Sequence, residues 1–277
     1  MAFSLSKIQK GVKKMPRKII LYGPPKLGKS TLAGSTRDAL MIPTEDRVAH
    51  IKCDKTPVVE SVGDIMEIFE FLLDSKGKHT YKRAIVDTLD WLEPIIHKRA
   101  IERVNEKLEG TGGAIAHSIN DDHCKETAFQ KGLKFLAPAE WKRFLANCDV
   151  LRAEGLDVVL VAHSHTITIN PPDRDPYEKY VMKIDKSSLA VLEEWADIIA
   201  FYDKEIFVKT EKVGATAKKG KALPSKNRVL HLCGDNPAMI NGNSFGLGDA
   251  IVSLEHCQDI MEWMLTETVD EKTTGDK

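Results

Sequence analysis

Residues 18–31 read KIILYGPPKLGKST. An apolar run, Ile19 to Tyr22, ends at Gly23, and Gly28, Lys29 and Ser30 follow at the spacing G-x-x-x-x-G-K-[ST]. The run predicts a buried strand, and the residues from Lys29 to about Ala39 predict a helix. The loop between them suits phosphate. Glycines permit close backbone approach, successive N–H groups turn inward, and the helix N-terminus adds a positive dipole. Pro24 and Pro25 carry no N–H, so the cradle is expected from the amides of about Lys26 to Thr31. The predicted contact set is Gly23, Pro24, Pro25, Lys26, Leu27, Gly28, Lys29, Ser30 and Thr31. Lys29 is expected to reach the β- and γ-phosphates of ATP, and the Ser30 hydroxyl to bind Mg²⁺. Lys26 stands at the crest. It either faces solvent or approaches the γ-phosphate or a neighbouring subunit.

Working outward, LMIP (40–43), RAIVDT (83–88) and LDVVLVAHSH (156–165) read as further strands. Between them SVGDIMEIFEFLLDS carries Ile65, Ile68, Phe69, Leu72 and Leu73 at helical spacing, with Ser61 placed to cap it. LDWLEPIIHKRAIERVNEKL predicts a long helix bent near Pro94, and PAEWKRFLANCDVLRAEG another. LAVLEEWADIIAFYD reads as a short helix running into a strand. EIFVKTEKV and NRVLHLC read as a hairpin around a Gly/Lys-rich tip, followed by a helix over about 254–265. Strands alternating with helices predict an α/β fold with a mostly parallel central sheet covered on both faces. A C-terminal β-hairpin plus helix completes it. Three segments result: a basic extension (1–16), one domain (17–266) and a tail (267–277) expected to be disordered.

The whole chain narrows the classes. Its 277 residues include 40 basic and 41 acidic ones, net −1, so any nucleic-acid role needs a local basic patch. The five cysteines form no C-x-x-C pair, which points to a reducing compartment and no zinc ribbon. No apolar run suits a membrane span. A cytoplasmic protein is expected.

In parallel sheets ligands bind beyond the carboxyl ends of the strands. Gly23, Glu45, Asp87 and His163 each fall at or just after such an end. Asp87 is the expected holder of the Mg²⁺ shell. Asp90 is the alternative, unless it only caps a helix. Glu45 is the candidate to orient or deprotonate the attacking water, with Glu93 as its alternative. His163 is placed to bond the γ-phosphate or a water and report nucleotide state. His165 is the weaker choice.

With these residues in this order, the chain resembles the bacteriophage nucleotide-binding ATPases of the RecA-like core type. They are often classed as AAA-type ATP-binding proteins, and some act in single-strand-annealing recombination. The resemblance is carried by ILYGPPKLGKSTLA, IPTED, RAIVDTLDWLEP, EWKRFLANCDVLRAEGLDVVLVAHSH and EEWADIIAFYD, spanning residues 20–203. It implies a three-layer RecA-like P-loop core and Mg²⁺-dependent ATP hydrolysis. Asp87 would be the Walker B acid, Glu45 the catalytic glutamate, and His163 the sensor heading a second DNA-binding loop. Lys26 departs from the small residue common at that position.

The resemblance also implies two loops contacting single-stranded DNA, at about 110–135 and 164–182. Both read as polar and irregular, with Phe129, Phe135 and Tyr177 as stacking candidates. Lys218, Lys219 and Lys221, in the basic stretch 209–228, are candidate backbone contacts with Arg174. Lys226 and Arg228 are candidate trans-acting cations if protomers assemble into a ring or filament. A phage or host single-strand-binding protein is a further expected partner. HSINDDHC (117–124) matches no zinc spacing. Two other functions fit the motif: a P-loop small-molecule or nucleotide kinase, and a non-hydrolysing nucleotide-dependent loader.

Overall fold

A computed structural model describes residues 15–75, 77–213, 217–234, 236, 238–252 and 256–267; for residues 206–226 it describes backbone alone. The expected basic extension therefore lies outside the described residues from 1 to 14, and the expected disordered tail from 268 to 277. The strands are β1 (Lys18–Gly23), β2 (Ala39–Pro43), β3 (Asp54–Lys55), β4 (Arg83–Asp87), β5 (Asp157–Ile169), β6 (Tyr177–Met182), β7 (Ile198–Val213), β8 (Ala217–His231), β9 (Gly242–Asn243) and β10 (Ala250–Val252). The helices are α1 (Lys29–Ala33), α2 (Val62–Asp74), α3 (Leu89–Leu108), α4 (Ala137–Ala153), α5 (Lys186–Trp195) and α6 (Cys257–Thr266).

The sheet runs β10-β8-β7-β1-β5-β4-β2-β3. From β7 to β3 every neighbouring pair is parallel, while β7–β8 and β8–β10 are antiparallel. This is the mostly parallel α/β sheet with a C-terminal hairpin and helix that the sequence implies, consistent with a RecA-like P-loop domain. β5 lies between β1 and β4, so the strand carrying Asp87 is not the neighbour of the strand carrying Gly23.

Period-two alternation in β1 sorts its side chains onto two faces. Ile20 and Tyr22 join one core with Phe69 of α2, Leu92 of α3, Trp141 of α4 and Leu192 of α5. Ile19 and Leu21 join another with Leu32 of α1 and Met261 and Met264 of α6. All of these core residues but Phe69, at 3%, are 0% exposed, and each large apolar side chain so buried contributes about 1.5–3 kcal/mol. Arg17 ties α6 to the sheet. Its main-chain N–H donates to Asp157 (2.8 Å), its Nη1 to the Met264 carbonyl (2.6 Å), and its guanidinium lies 3.8 Å from the Phe245 ring centroid. No helix among the described residues is long and apolar enough to cross a membrane.

Several elements depart from the sequence reading. α1 stops at Ala33, not near Ala39. Gly34 follows, and a Cβ there would lie 2.7 Å from Ile51 Cγ2. The Ser35 hydroxyl then takes the Leu32 carbonyl at 2.6 Å, diverting the chain. The stretch 164–182 is not an irregular loop. β5 continues past His163 and pairs antiparallel with β6, Ser164 opposite Met182 through Ile169 opposite Tyr177. Alternating β-branched residues and a Thr168–Glu178 hydrogen bond (3.0 Å) support that hairpin. The lysines of 218–221 sit in strand β8, paired with 209–212, rather than in a tip. The side chains of Lys218, Lys219, Lys221 and Lys226 lie outside the described residues.

Candidate nucleotide site

The loop after β1 is built by backbone constraints. A Cβ on Gly23 would lie 2.0 Å from the Tyr202 carbonyl oxygen of β7, so only glycine lets the strands pair here. Gly28 takes φ +92°, a conformation glycine adopts without strain. Lys26 also takes a left-handed φ, 64°, with its side chain exposed at the crest. Replacing Lys26 with Gly is therefore expected to leave ATP affinity within about threefold and to raise stability by up to about 1 kcal/mol. Titration calorimetry and thermal unfolding check this; a loss of affinity as large as that from Lys29→Ala would overturn the assignment of Lys29 as the phosphate lysine.

Lys29 is buried, 4% exposed, and folds back over the loop. Its Nζ donates to the carbonyls of Gly23 and Pro24, both at 2.9 Å. Burial pushes its ammonium down to about 8, while Asp87, Asp90 and Glu45 hold it up. These three carboxylates therefore converge on the lysine, although they stand on different elements.

The register explains the convergence. Gly23 pairs with His163, Val161 of the same strand with Asp87, and Asp87 with Pro43. Gly23 and His163 thus share one level, with Asp87 just below it and Glu45 just beyond Pro43. Beyond that edge the Thr44 amide donates to the Asp87 carbonyl (2.8 Å). The Thr44 hydroxyl receives the Thr88 amide (2.8 Å) and gives its own proton to the Thr88 carbonyl (2.8 Å). That lock between β2 and β4 carries no motif in the sequence.

Asp87 is 0% exposed, yet neither carboxylate oxygen accepts a hydrogen bond of normal geometry from a described residue. Burial pushes its carboxyl above the usual range and Glu45 adds to this; the nearby Ser30 hydroxyl, Lys29 and His163 pull against it without cancelling it. Glu45 Oε2 is likewise buried and accepts no hydrogen bond from a described residue, while the Thr88 hydroxyl is buried beside Asp90. Arg47 Nε stands 3.6 Å from Glu45. Buried, unsatisfied oxygens are rare and costly. Here they ring a hydroxyl and an ammonium, the donor set a hard, oxygen-seeking cation and a polyphosphate require. The residues present fit Mg²⁺ at Asp87 and Ser30, with a nucleotide phosphate chain on Lys29 and the loop amides.

The alternatives find other work. Asp90 accepts from both the amide (3.0 Å) and Nδ1 (2.9 Å) of His163. Burial alone would raise the Asp90 carboxyl, and these hydrogen bonds more than reverse it. Glu93 accepts from the Asp185 amide at 2.9 Å, and burial raises its carboxyl to about 7. Glu93 thus braces the start of α5 rather than facing the loop. His165 is exposed on β5 beyond the edge. Arg174 pairs with Asp173 (2.7 Å), both exposed between β5 and β6. Tyr177 is half-buried at the start of β6. Phe129 and Phe135 are 83% and 67% exposed. Phe129 and Gln130 take consecutive left-handed φ angles, 56° and 60°, and Phe135 sits in a π-turn (Gly132–Leu136) leading into α4. In the 117–124 stretch, Asp121 accepts from the amides of His117 (2.8 Å) and His123 (2.9 Å) and so shapes a turn.

No curated protein matches the chain. A family model described as an AAA domain matches residues 15–229, a span that covers the phosphate loop, all six parallel strands and nearly all of the β7–β8 hairpin. By that match and by the site it encloses, the chain belongs to the AAA-domain family of P-loop ATPase-like proteins.

Proposed function

We propose that this protein is a Mg²⁺-dependent ATP hydrolase that acts on single-stranded DNA, in phage recombination, repair or replication. The observation that carries the hydrolase reading is Asp87: a buried carboxylate beside Ser30 and Lys29, neither oxygen of which accepts a hydrogen bond of normal geometry from a described residue. Bound Mg²⁺ would supply charge neutralisation at the phosphates. Lys29 would leave the Gly23 and Pro24 carbonyls for the β- and γ-phosphates. Glu45, whose buried Oε2 accepts no hydrogen bond and has only Arg47 3.6 Å away, would orient the attacking water and draw off its proton. His163 would face the terminal phosphate from β5, at the level of Gly23.

The DNA reading rests on Phe129 and Phe135. A large aromatic ring left in water is costly, and strained backbone of this kind marks functional segments. Both rings would stack on bases. The basic stretch of the β7–β8 hairpin and Arg174 would contact the phosphodiester backbone, with protomers in a ring or filament and a single-strand-binding protein as partner.

Measuring ATP turnover with and without single-stranded DNA, over a range of salt, tests this. DNA is expected to stimulate turnover, and the Phe129→Ala/Phe135→Ala double variant to need at least about tenfold more DNA for the same stimulation, given about 1–3 kcal/mol per stacked base. Turnover indifferent to DNA at every salt concentration would contradict the DNA assignment.

A further inference from the structure

At the candidate phosphate edge, His163 is held through both its main chain and its ring. Its carbonyl accepts from the Lys183 amide at 2.8 Å, locking the root of the β5–β6 hairpin. Its amide and Nδ1 both meet the Asp90 carboxylate, which is only 7% exposed. Asp90 lies in the first turn of α3, three residues after Asp87. An acid there has its side chain directed back toward the helix start. It therefore reaches His163 on the strand that intervenes between β1 and β4.

Chemistry follows from that geometry. A carboxylate accepts only, so the ring nitrogen facing it must donate. Nδ1 then carries its proton toward Asp90, and Nε2 is the ring atom left for a ligand. His163 pairs in register with Gly23, where the phosphate loop begins, and its charge bears on Asp87. Lys29, Asp87, Asp90 and Glu45 are the charged groups brought together there from the loop, β4, α3 and the segment after β2.

We infer that Asp90 is a positioning residue for triphosphate recognition: it holds the His163 ring with Nδ1 as donor, so that Nε2–H of the doubly protonated ring bonds the terminal phosphate and favours ATP over ADP. This rests on the nucleotide-site reading above. No covalent step is involved. Because Oδ1 of Asp90 lies within reach of both the amide (3.0 Å) and Nδ1 (3.1 Å) of His163, an asparagine could keep both contacts; alanine at position 90 removes the acceptor outright.

The test measures binding of ADP and of a non-hydrolysable ATP analogue, with Mg²⁺, to the wild-type chain and to the Asp90→Ala and His163→Gln variants. Long-range ¹H–¹⁵N spectra of ¹⁵N-histidine-labelled protein report the ring protonation. The wild-type chain is expected to prefer the analogue and to show a protonated Nδ1 on His163. Each variant is expected to lose at least about tenfold of that preference, as for a charge-assisted hydrogen bond, with the loss concentrated in the triphosphate. The Nδ1 proton is expected to disappear in Asp90→Ala. An unchanged preference in either variant, or a Nδ1 proton that persists in Asp90→Ala, would overturn the inference. Equal wild-type affinity for both nucleotides would overturn it while leaving the nucleotide site standing. Binding of neither would overturn both.

Discussion

Asp87→Asn is expected to make the nucleotide-free protein more stable while abolishing its proposed activity. The carboxylate is fully buried and neither oxygen accepts a hydrogen bond of normal geometry from the described residues. An amide of the same shape removes the desolvated charge and should raise stability by about 1–3 kcal/mol above neutral pH. The sign with pH is fixed. The native pKa lies above the ordinary 3.8, so the native state holds a proton that the unfolded chain has released. Wild-type stability therefore falls as pH rises from about 3.8 through the native value, and levels off beyond it. The variant lacks that slope, so its advantage grows with pH and vanishes near pH 4. Hydrolysis should fall by at least about a thousandfold, roughly 4 kcal/mol of lost charge stabilisation. Denaturant titrations at several pH values and Mg²⁺-dependent turnover check both halves. A destabilised variant at pH 8, or one that keeps its activity, would contradict the account of Asp87.

Gly23→Ala is expected to have the largest effect on folding of any change in the loop. The new methyl would lie 2.0 Å from the Tyr202 carbonyl oxygen. That atom is backbone, so relief requires separating β1 from β7 in the centre of the sheet. A cost of about 3 kcal/mol or more is expected. Gly28→Ala makes the useful contrast. Nothing lies within 3.9 Å of a Cβ there, and only the φ of +92° is unfavourable, costing about 1–2 kcal/mol. Thermal unfolding of both variants decides between packing and conformation. A Gly23→Ala protein as stable as Gly28→Ala would show that the close approach to β7 is not what the glycine serves.

Much of this site was legible in sequence because its parts are local. The loop motif, the Ser61 cap of α2 and the strand end at Asp87 each follow from neighbours in the chain, whereas the strand end expected at His163 does not exist, since β5 runs on to Ile169. What was not legible depends on distant partners. That β5 separates β1 from β4 is decided by ladder pairing across more than seventy residues. The length of α1 is set by Ile51 packing on Gly34. The short strands β3, β9 and β10 exist only because β2, β7 and β8 offer them edges. In sequence Asp90 fits a spare metal ligand or a cap; its bond to His163, 73 residues away, is long-range in the same way. The hairpin after His163 is obscured in sequence by the polar loop NPPDRDPYE, which outweighs the polar–apolar alternation of Thr166, Ile167 and Thr168.

Inorganic phosphate release from Mg²⁺·ATP, by wild-type protein and by Glu45→Gln, with ATP affinity measured on the same samples, tests the central claim most directly. The expected result is clear turnover by the wild type and a loss of at least about a hundredfold in the variant, with ATP still bound. Bound ATP with no turnover by the wild type, or equal rates in both proteins, would contradict the assignment of this edge as a hydrolytic site.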